Sequence, residues 1–237
     1  MRESTKTNQY RSPDFFTRYL SGSVLDIGCG DDPVVPHARP FDVEHGDANS
    51  ILEFLSPESF DTVNSSHCLE HMRDVPRALR EWWRLVRPGG FMILVVPHED
   101  LYEQGFWPSL HNRDHKATFR IGGDSSWSPV SRDLAGLVKG LDDAEIIEIG
   151  VQDNGYRREW RVRLGERVLP RPSPFGRFLD RMRHSMLKRL RKAHSPREAA
   201  VADFLNRTLA RLGIPIDQTK TGALAQIQCI VRKRLRE

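Results

Sequence analysis

The stretch that most constrains this chain is Ser23-Val-Leu-Asp-Ile-Gly-Cys-Gly-Asp-Asp-Pro33. Val24, Leu25 and Ile27 suit a buried parallel strand, and Gly28 and Gly30 let the backbone turn tightly and approach a ligand closely. A strand that runs into such a turn delivers its last residues to the carboxyl edge of a sheet. That is where open α/β sheets bind their ligands.

The rest of the sequence supplies partners for that strand. Phe41-Asp42-Val43 reads as the end of a second strand, and Ser59 to Ser65 as a third. A turn of Ser65, Ser66 and His67 then leads toward a helix through Leu69 and Met72. From Val75 the residues Ala78, Leu79, Trp82, Leu85 and Val86 recur at helical spacing until Arg87-Pro-Gly-Gly90 stops them. Phe91 to Val96 is a continuous apolar run of strand length. Residues 98–130 read as a long polar and aromatic loop. Ser131 is expected to cap a helix through Leu134, Leu137, Val138 and Leu141, before strands at Ala144 to Val151 and Ala225 to Val231. A lead-in helix ends near Phe15, Phe16 and Tyr19, packing on the sheet or covering the ligand. Strands alternating with amphipathic helices predict an α/β fold with a doubly wound, mostly parallel sheet.

Charge is distributed unevenly. Residues 1–156 hold 15 Lys and Arg against 25 Asp and Glu, whereas residues 157–237 hold 21 against 7. The basic block fits either a solvated helix face or an anionic partner such as a phosphorylated substrate, a lipid surface or nucleic acid. Within it Phe175, Phe178, Leu179, Met182, Met186, Leu187 and Leu190 form an apolar stripe, and a second helix is expected at about 198–212. No apolar run reaches the roughly 18 residues of a membrane span, and Met1 to Tyr10 is polar, so the expected location is cytoplasmic. Cys29, Cys68 and Cys229 are too widely spaced for a disulfide framework and read as buried thiols.

Taken together, Asp26 with Gly28-Cys29-Gly30, Asp42 after the next strand, Gly46-Asp47-Ala48, Ser65-Ser-His-Cys-Leu-Glu-His71 and Pro88-Gly-Gly90 resemble the class I S-adenosylmethionine-dependent methyltransferases. The resemblance is specific over about residues 22–97 and implies a seven-stranded Rossmann-like sheet with an antiparallel last strand. The chain then divides into a lead-in (1–22), a cofactor-binding core (23–151), a basic, mainly helical insertion (152–223) and the final strand (224–237). A pyrophosphate-binding loop expects a third glycine, which is absent here, as suits a cofactor without phosphates. The resemblance implies that Asp26, Gly28, Cys29 and Gly30 meet the methionine part of the cofactor. Asp42 and Val43 meet the ribose, with Glu44 an alternative acid, Asp47 and Ala48 the adenine, and Ser65, Ser66 and His67 the sulfonium side.

An alcohol acceptor also needs its proton removed, and the loop is rich in candidates. His115, His98 and Asp114 are the catalytic candidates, since histidine titrates near neutrality. Tyr102, Trp107, His111, Asn112 and Lys116 are candidate substrate residues, because aromatic rings stack on sugar faces while polar groups bond hydroxyls. The loop is similar to that of bacterial sugar- and polysaccharide-pathway O-methyltransferases, which implies a saccharide or related polyhydroxylated acceptor, phosphorylated or lipid-linked forms included. His67, Glu70 and His71 resemble the Glu-x-x-Glu-His element of ubiquinone-pathway enzymes and would hold a divalent ion such as magnesium. Two other readings stand beside this one: an RNA methyltransferase using the basic region, and a noncatalytic cofactor-binding scaffold whose basic helix meets a membrane or a partner.

Overall fold

The computed structural model describes residues 3–123, 125–162 and 196–235, together with positions 174, 178 and 182. The apolar stripe expected between Phe175 and Leu190 lies for the most part outside the described residues. Two short helices, α1 (Glu3–Asn8) and α2 (Pro13–Tyr19), lead into β1 (Val24–Ile27). β2 (Arg39–Phe41), β3 (Phe60–Ser66), α3 (Val75–Arg84) and β4 (Val86–Pro97) follow. The stretch expected to be all loop, residues 98–130, contains β5 (Thr118–Arg120); after it come β6 (Ser131–Asp133), α4 (Leu134–Lys139), β7 (Ala144–Gln152), α5 (Pro196–Arg211) and β8 (Gln226–Lys233).

The main sheet has six strands in the order β2-β1-β3-β4-β8-β7. β2, β1, β3 and β4 are mutually parallel, and β8 runs antiparallel between β4 and β7. The fold is therefore the expected Rossmann-like α/β sheet with an antiparallel strand, but it has six strands rather than seven. The missing strand has a local cause. Between β2 and β3 the apolar residues Ile51 and Leu52 lie in a 3-10 segment at Ala48–Glu53, capped by Asp47, where a further strand would be needed. Nor does Ser131 cap a helix: it begins β6, which pairs with β5 in a separate two-stranded ladder. The cap of α4 is Asp133, whose carboxylate accepts from the Ala135 amide.

Alternation along the strands builds two apolar layers. Leu25 and Ile27 of β1 join Met92, Leu94 and Val96 of β4 beneath α3 and α4. Val24 and Ile93 turn the other way, onto Tyr19 and Leu20 at the end of α2. α3 begins at the Asp74 cap, which accepts from the Arg77 amide, and buries Ala78, Leu79, Trp82 and Trp83. The Trp82 indole donates to the Ala48 carbonyl at 2.8 Å, fixing the turn after β2 over the core. Among the described residues no helix is long and apolar enough to cross a membrane.

Candidate functional site

A cavity of about 620 Å³ opens at the carboxyl ends of β1 and β2, within the size range of small-molecule sites. Gly28, Phe41, Asp42, Val43, Gly46, Asp47, Ala48 and Asn49 line one side; His67, Cys68, His71, Met72 and Asp114 line the other. Gly28 has to be glycine here. Its φ is +75°, and a Cβ would lie 2.5 Å from the Cβ of Cys68.

The cofactor residues expected from sequence divide between two places. Gly28, Asp42, Val43, Asp47, Ala48 and His67 line the cavity. Asp42 accepts from the Gly30 amide through Oδ2 and from the Val43 amide through Oδ1, each at 2.8 Å. The alternative acid, Glu44, is exposed and is not on the cavity wall. Asp47 lines the cavity with both oxygens engaged, Oδ1 by Asn49 and Oδ2 by Arg73. Asp26 lies below the turn, not on the cavity wall, because it shares the α2 face of β1 with Val24. There it is fully buried; Oδ1 accepts from Asn64 Nδ2 and Oδ2 from the Val34 amide, both at 2.6 Å. Burial pushes its pKa up to about 6, against the pull of these two donors and of the Arg11 guanidinium. Cys29, Gly30, Ser65 and Ser66 adjoin the cavity without forming its wall. Of the cysteines only Cys229 is fully buried; Cys29 and Cys68 are half-buried.

The loop after β4 delivers its residues differently from the sequence reading. None of Tyr102, Trp107, His111, Asn112 and Lys116 lines this cavity. His98 also stays off it: its Nδ1 caps the turn at Glu99–Glu103, accepting from the Asp100 amide. Burial lowers its pKa. Asp114 does reach the cavity, where its Oδ2 lies 2.9 Å from His71 Nδ1. Lys116 pairs with Asp114 at 3.2 Å. These partners hold the Asp114 carboxyl below its usual range.

His115 is buried behind His71, not on the wall, with the two rings edge to face at 5.0 Å. Tyr102 stacks on the His115 ring at 5.2 Å, and His115 Nδ1 lies 2.7 Å from Glu103 Oε1. The amides of Lys116 and Ala117 donate to the Glu70 carbonyl, which docks this part of the loop on the turn after β3. The Glu70 carboxylate is itself buried, with no hydrogen-bond partner for either oxygen among the described residues. Three imidazole nitrogens surround it: His67 Nδ1 at 3.5 Å, and His71 Nε2 and His115 Nε2 at 3.9 Å.

His67, expected in the metal-binding trio, keeps Nδ1 within 3.5 Å of Glu70 but is not among the donors that converge. Its Nε2 meets Gln226 Oε1 at 2.9 Å, and its backbone is left-handed at φ +54°, a strained state for histidine. The group whose donors converge is instead Glu70, His71 and His115, all within 4.8 Å of one another. Two imidazoles and one carboxylate are not the all-oxygen set that magnesium prefers. Sequence reasoning missed His115 as a neighbour of Glu70, and also Phe41, Asn49, Cys68 and Met72 on the wall. Phe41 and Cys68 flanked motif residues and could have been found from that adjacency.

Residues 32–94 match the family described as a methyltransferase domain. No curated protein matches the sequence. Among solved structures, a SAM-dependent methyltransferase from Archaeoglobus fulgidus is similar at 15% identity and a TM-score of 0.49, covering 98% of this chain and 95% of that one. The YcgJ protein of Bacillus subtilis is similar at 14% identity and a TM-score of 0.46, with 92% and 94% covered. A proposed sarcosine dimethylglycine methyltransferase from Galdieria sulphuraria is similar at 13% identity and a TM-score of 0.41; 85% of this chain is covered, and this chain spans 61% of that protein's length. At these identities and TM-scores the likenesses assign no activity.

Proposed function

We propose that this chain is an S-adenosylmethionine-dependent O-methyltransferase acting on a saccharide or related polyhydroxylated metabolite. The observation that carries the cofactor reading is the cavity between Gly28 and Asp42 on one side and His67, Cys68 and His71 on the other. It lies in the sheet position where α/β folds bind ligands and within a chain whose residues 32–94 match a methyltransferase domain. When bound, S-adenosylmethionine supplies a methyl group activated on a sulfonium.

The residues fit that group. Gly28 leaves space beside the cofactor's methionine part, and Asp42 is an acceptor for ribose hydroxyls. Phe41 and Ala48 offer apolar surface to a base, while the His67, His71 and Asp114 side is polar. On that polar side His67, His71 and Asp114 would hold an acceptor hydroxyl and are the groups placed to take its proton when the methyl group is transferred. Holding the hydroxyl in line is the main contribution the protein can make to such a transfer. The imidazoles and carboxylates beside the cavity favour an acceptor with several hydroxyls to bond.

Calorimetry with S-adenosylhomocysteine tests the cofactor half. Micromolar binding is expected, and Asp42→Ala should weaken it about 10-fold to 100-fold, as for loss of a charge-assisted bond of about 1.5–3 kcal/mol. Absence of binding by the folded wild-type protein refutes the reading. A labelled-methyl screen over monosaccharides, oligosaccharides, sugar phosphates, lipid-linked sugars and RNA tests the acceptor half. Incorporation into RNA alone would replace the saccharide reading.

A further inference from the structure

We propose that Glu70, His71 and His115 form a binding centre for a divalent first-row transition ion beside the cavity that His71 lines. Three observations carry it. The Glu70 carboxylate is almost completely buried and neither oxygen is hydrogen-bonded among the described residues. His67 Nδ1 at 3.5 Å is the nearest group that offsets this charge, and a further cation at the oxygens would offset it more fully. Two imidazole nitrogens, His71 Nε2 and His115 Nε2, each approach Glu70 Oε1 to 3.9 Å. The other nitrogen of each ring is held by a carboxylate, His71 Nδ1 by Asp114 Oδ2 at 2.9 Å and His115 Nδ1 by Glu103 Oε1 at 2.7 Å. That outer pairing fixes a histidine's tautomer so that its free nitrogen presents a lone pair, the arrangement by which proteins orient metal-ligating imidazoles.

The distances suit an ion. Bonds of about 2.0–2.1 Å to a tetrahedral metal set donors roughly 3.3 Å apart; each imidazole nitrogen, now 3.9 Å from Glu70 Oε1, has to close by about 0.6 Å, and the three donors, now within 4.8 Å of one another, draw together by side-chain rotation. Two nitrogens and one oxygen select zinc, iron, cobalt or nickel over magnesium or calcium. Three protein ligands leave positions free, and His71 and Asp114 line the cavity. A hydroxyl or water oxygen is therefore the ligand the ion would take from that side. This use of the ion rests on the proposed O-methyl transfer, whereas the binding of the ion does not. An ion-bound hydroxyl loses its proton at lower pH, so no strong base has to touch the acceptor.

The test uses the full chain, stripped with a chelator and titrated with cobalt(II) chloride while its visible absorption is recorded. One equivalent should give ligand-field bands that zinc(II) then displaces. His115→Ala and Glu70→Gln should abolish saturable binding, Glu103→Gln should weaken it about 10-fold to 100-fold, and His98→Ala should leave it unchanged. Pulsed electron paramagnetic resonance of the copper(II)-loaded wild type should show two coupled imidazoles, a readout independent of whether any variant folds. No bands at one equivalent in the wild type, or fewer than two imidazoles on the ion, would overturn the metal centre. So would undiminished cobalt binding by a folded His115→Ala. S-adenosylhomocysteine binding by a protein that takes up no metal removes this centre alone; metal binding without transfer to any hydroxylated acceptor removes the O-methyl reading alone.

Discussion

Asp26 shows that the face of the strand on which a motif residue lies decides what it meets. Its position at the end of β1 was legible, but its direction follows from pleating: Leu25 and Ile27 face α3, so Asp26 must face α2, where Asn64 sits directly opposite in the β1–β3 register. The two-residue period of the apolar run held that information. What the sequence did not show is the consequence of burial. With the folded pKa raised to about 6 from 3.8, Asp26 keeps its proton in the native state while the unfolded chain gives it up. Its contribution to stability is therefore fully present below about pH 4 and falls as pH rises through 6, by on the order of 2–3 kcal/mol. Above that pH it is flat. Denaturant unfolding of the wild type and Asp26→Asn across pH 4–8 reads this as a difference: stability of the wild type should fall relative to the variant between pH 4 and 6 and then run parallel to it. A constant offset throughout would mean that Asp26 titrates normally.

Among the elements, the helices and strands with strong periodicity were the legible ones: α3, β3, β7 and β8 lie where the apolar spacing put them. The loop after β4 was not, because its order comes from side-chain bonds between residues distant in sequence. Glu99 is its organiser. Buried at 4% exposure, it accepts from Ser126 Oγ at 2.7 Å, Ser131 Oγ at 2.5 Å and Thr118 Oγ1 at 3.1 Å. Trp127 adds a bond to Asp100 at 2.9 Å. No local period signals such a network, and the same polar composition would equally suit a loop whose groups point into a substrate. Glu99→Ala leaves the buried Thr118 hydroxyl and the half-buried Ser126 and Ser131 hydroxyls without this acceptor and should cost about 1–3 kcal/mol. Limited proteolysis should then cut first within residues 98–130, while affinity for S-adenosylhomocysteine changes less than about twofold, since the loop reaches the cavity only through Asp114. A matching loss of cofactor affinity would show that the loop also sets the shape of the Gly28 to Asp42 wall.

At the scale of the whole molecule, segments far apart in the chain meet around the first glycine turn. Thr5 donates from its amide and hydroxyl to Asp32 at 2.9 and 2.5 Å, and Asn8 donates to the Val34 carbonyl at 2.9 Å. Gln226 of β8 donates to the Thr7 hydroxyl at 3.0 Å, and Arg11 donates twice to Gln228 Oε1 at 3.2 and 2.8 Å. Sequence alone placed an aromatic helix before β1 and favoured packing over covering as its task. The structure divides them: α2 packs through Tyr19 on Phe91, with ring centroids 5.1 Å apart, whereas α1 spans the turn and β8 through polar bonds. Such a brace is cheap to remove from the core but holds the backbone that approaches the ligand. A chain beginning at Ser12 should keep the α2 contacts and its circular dichroism. Its affinity for S-adenosylhomocysteine should fall by roughly tenfold, the loss corresponding to about 1.4 kcal/mol of turn ordering. Unchanged affinity alongside a lowered melting temperature would assign α1 to packing alone, and the turn from Gly28 to Val34 would then owe its shape to Asp26 and Asp42 without help from the N-terminal segment.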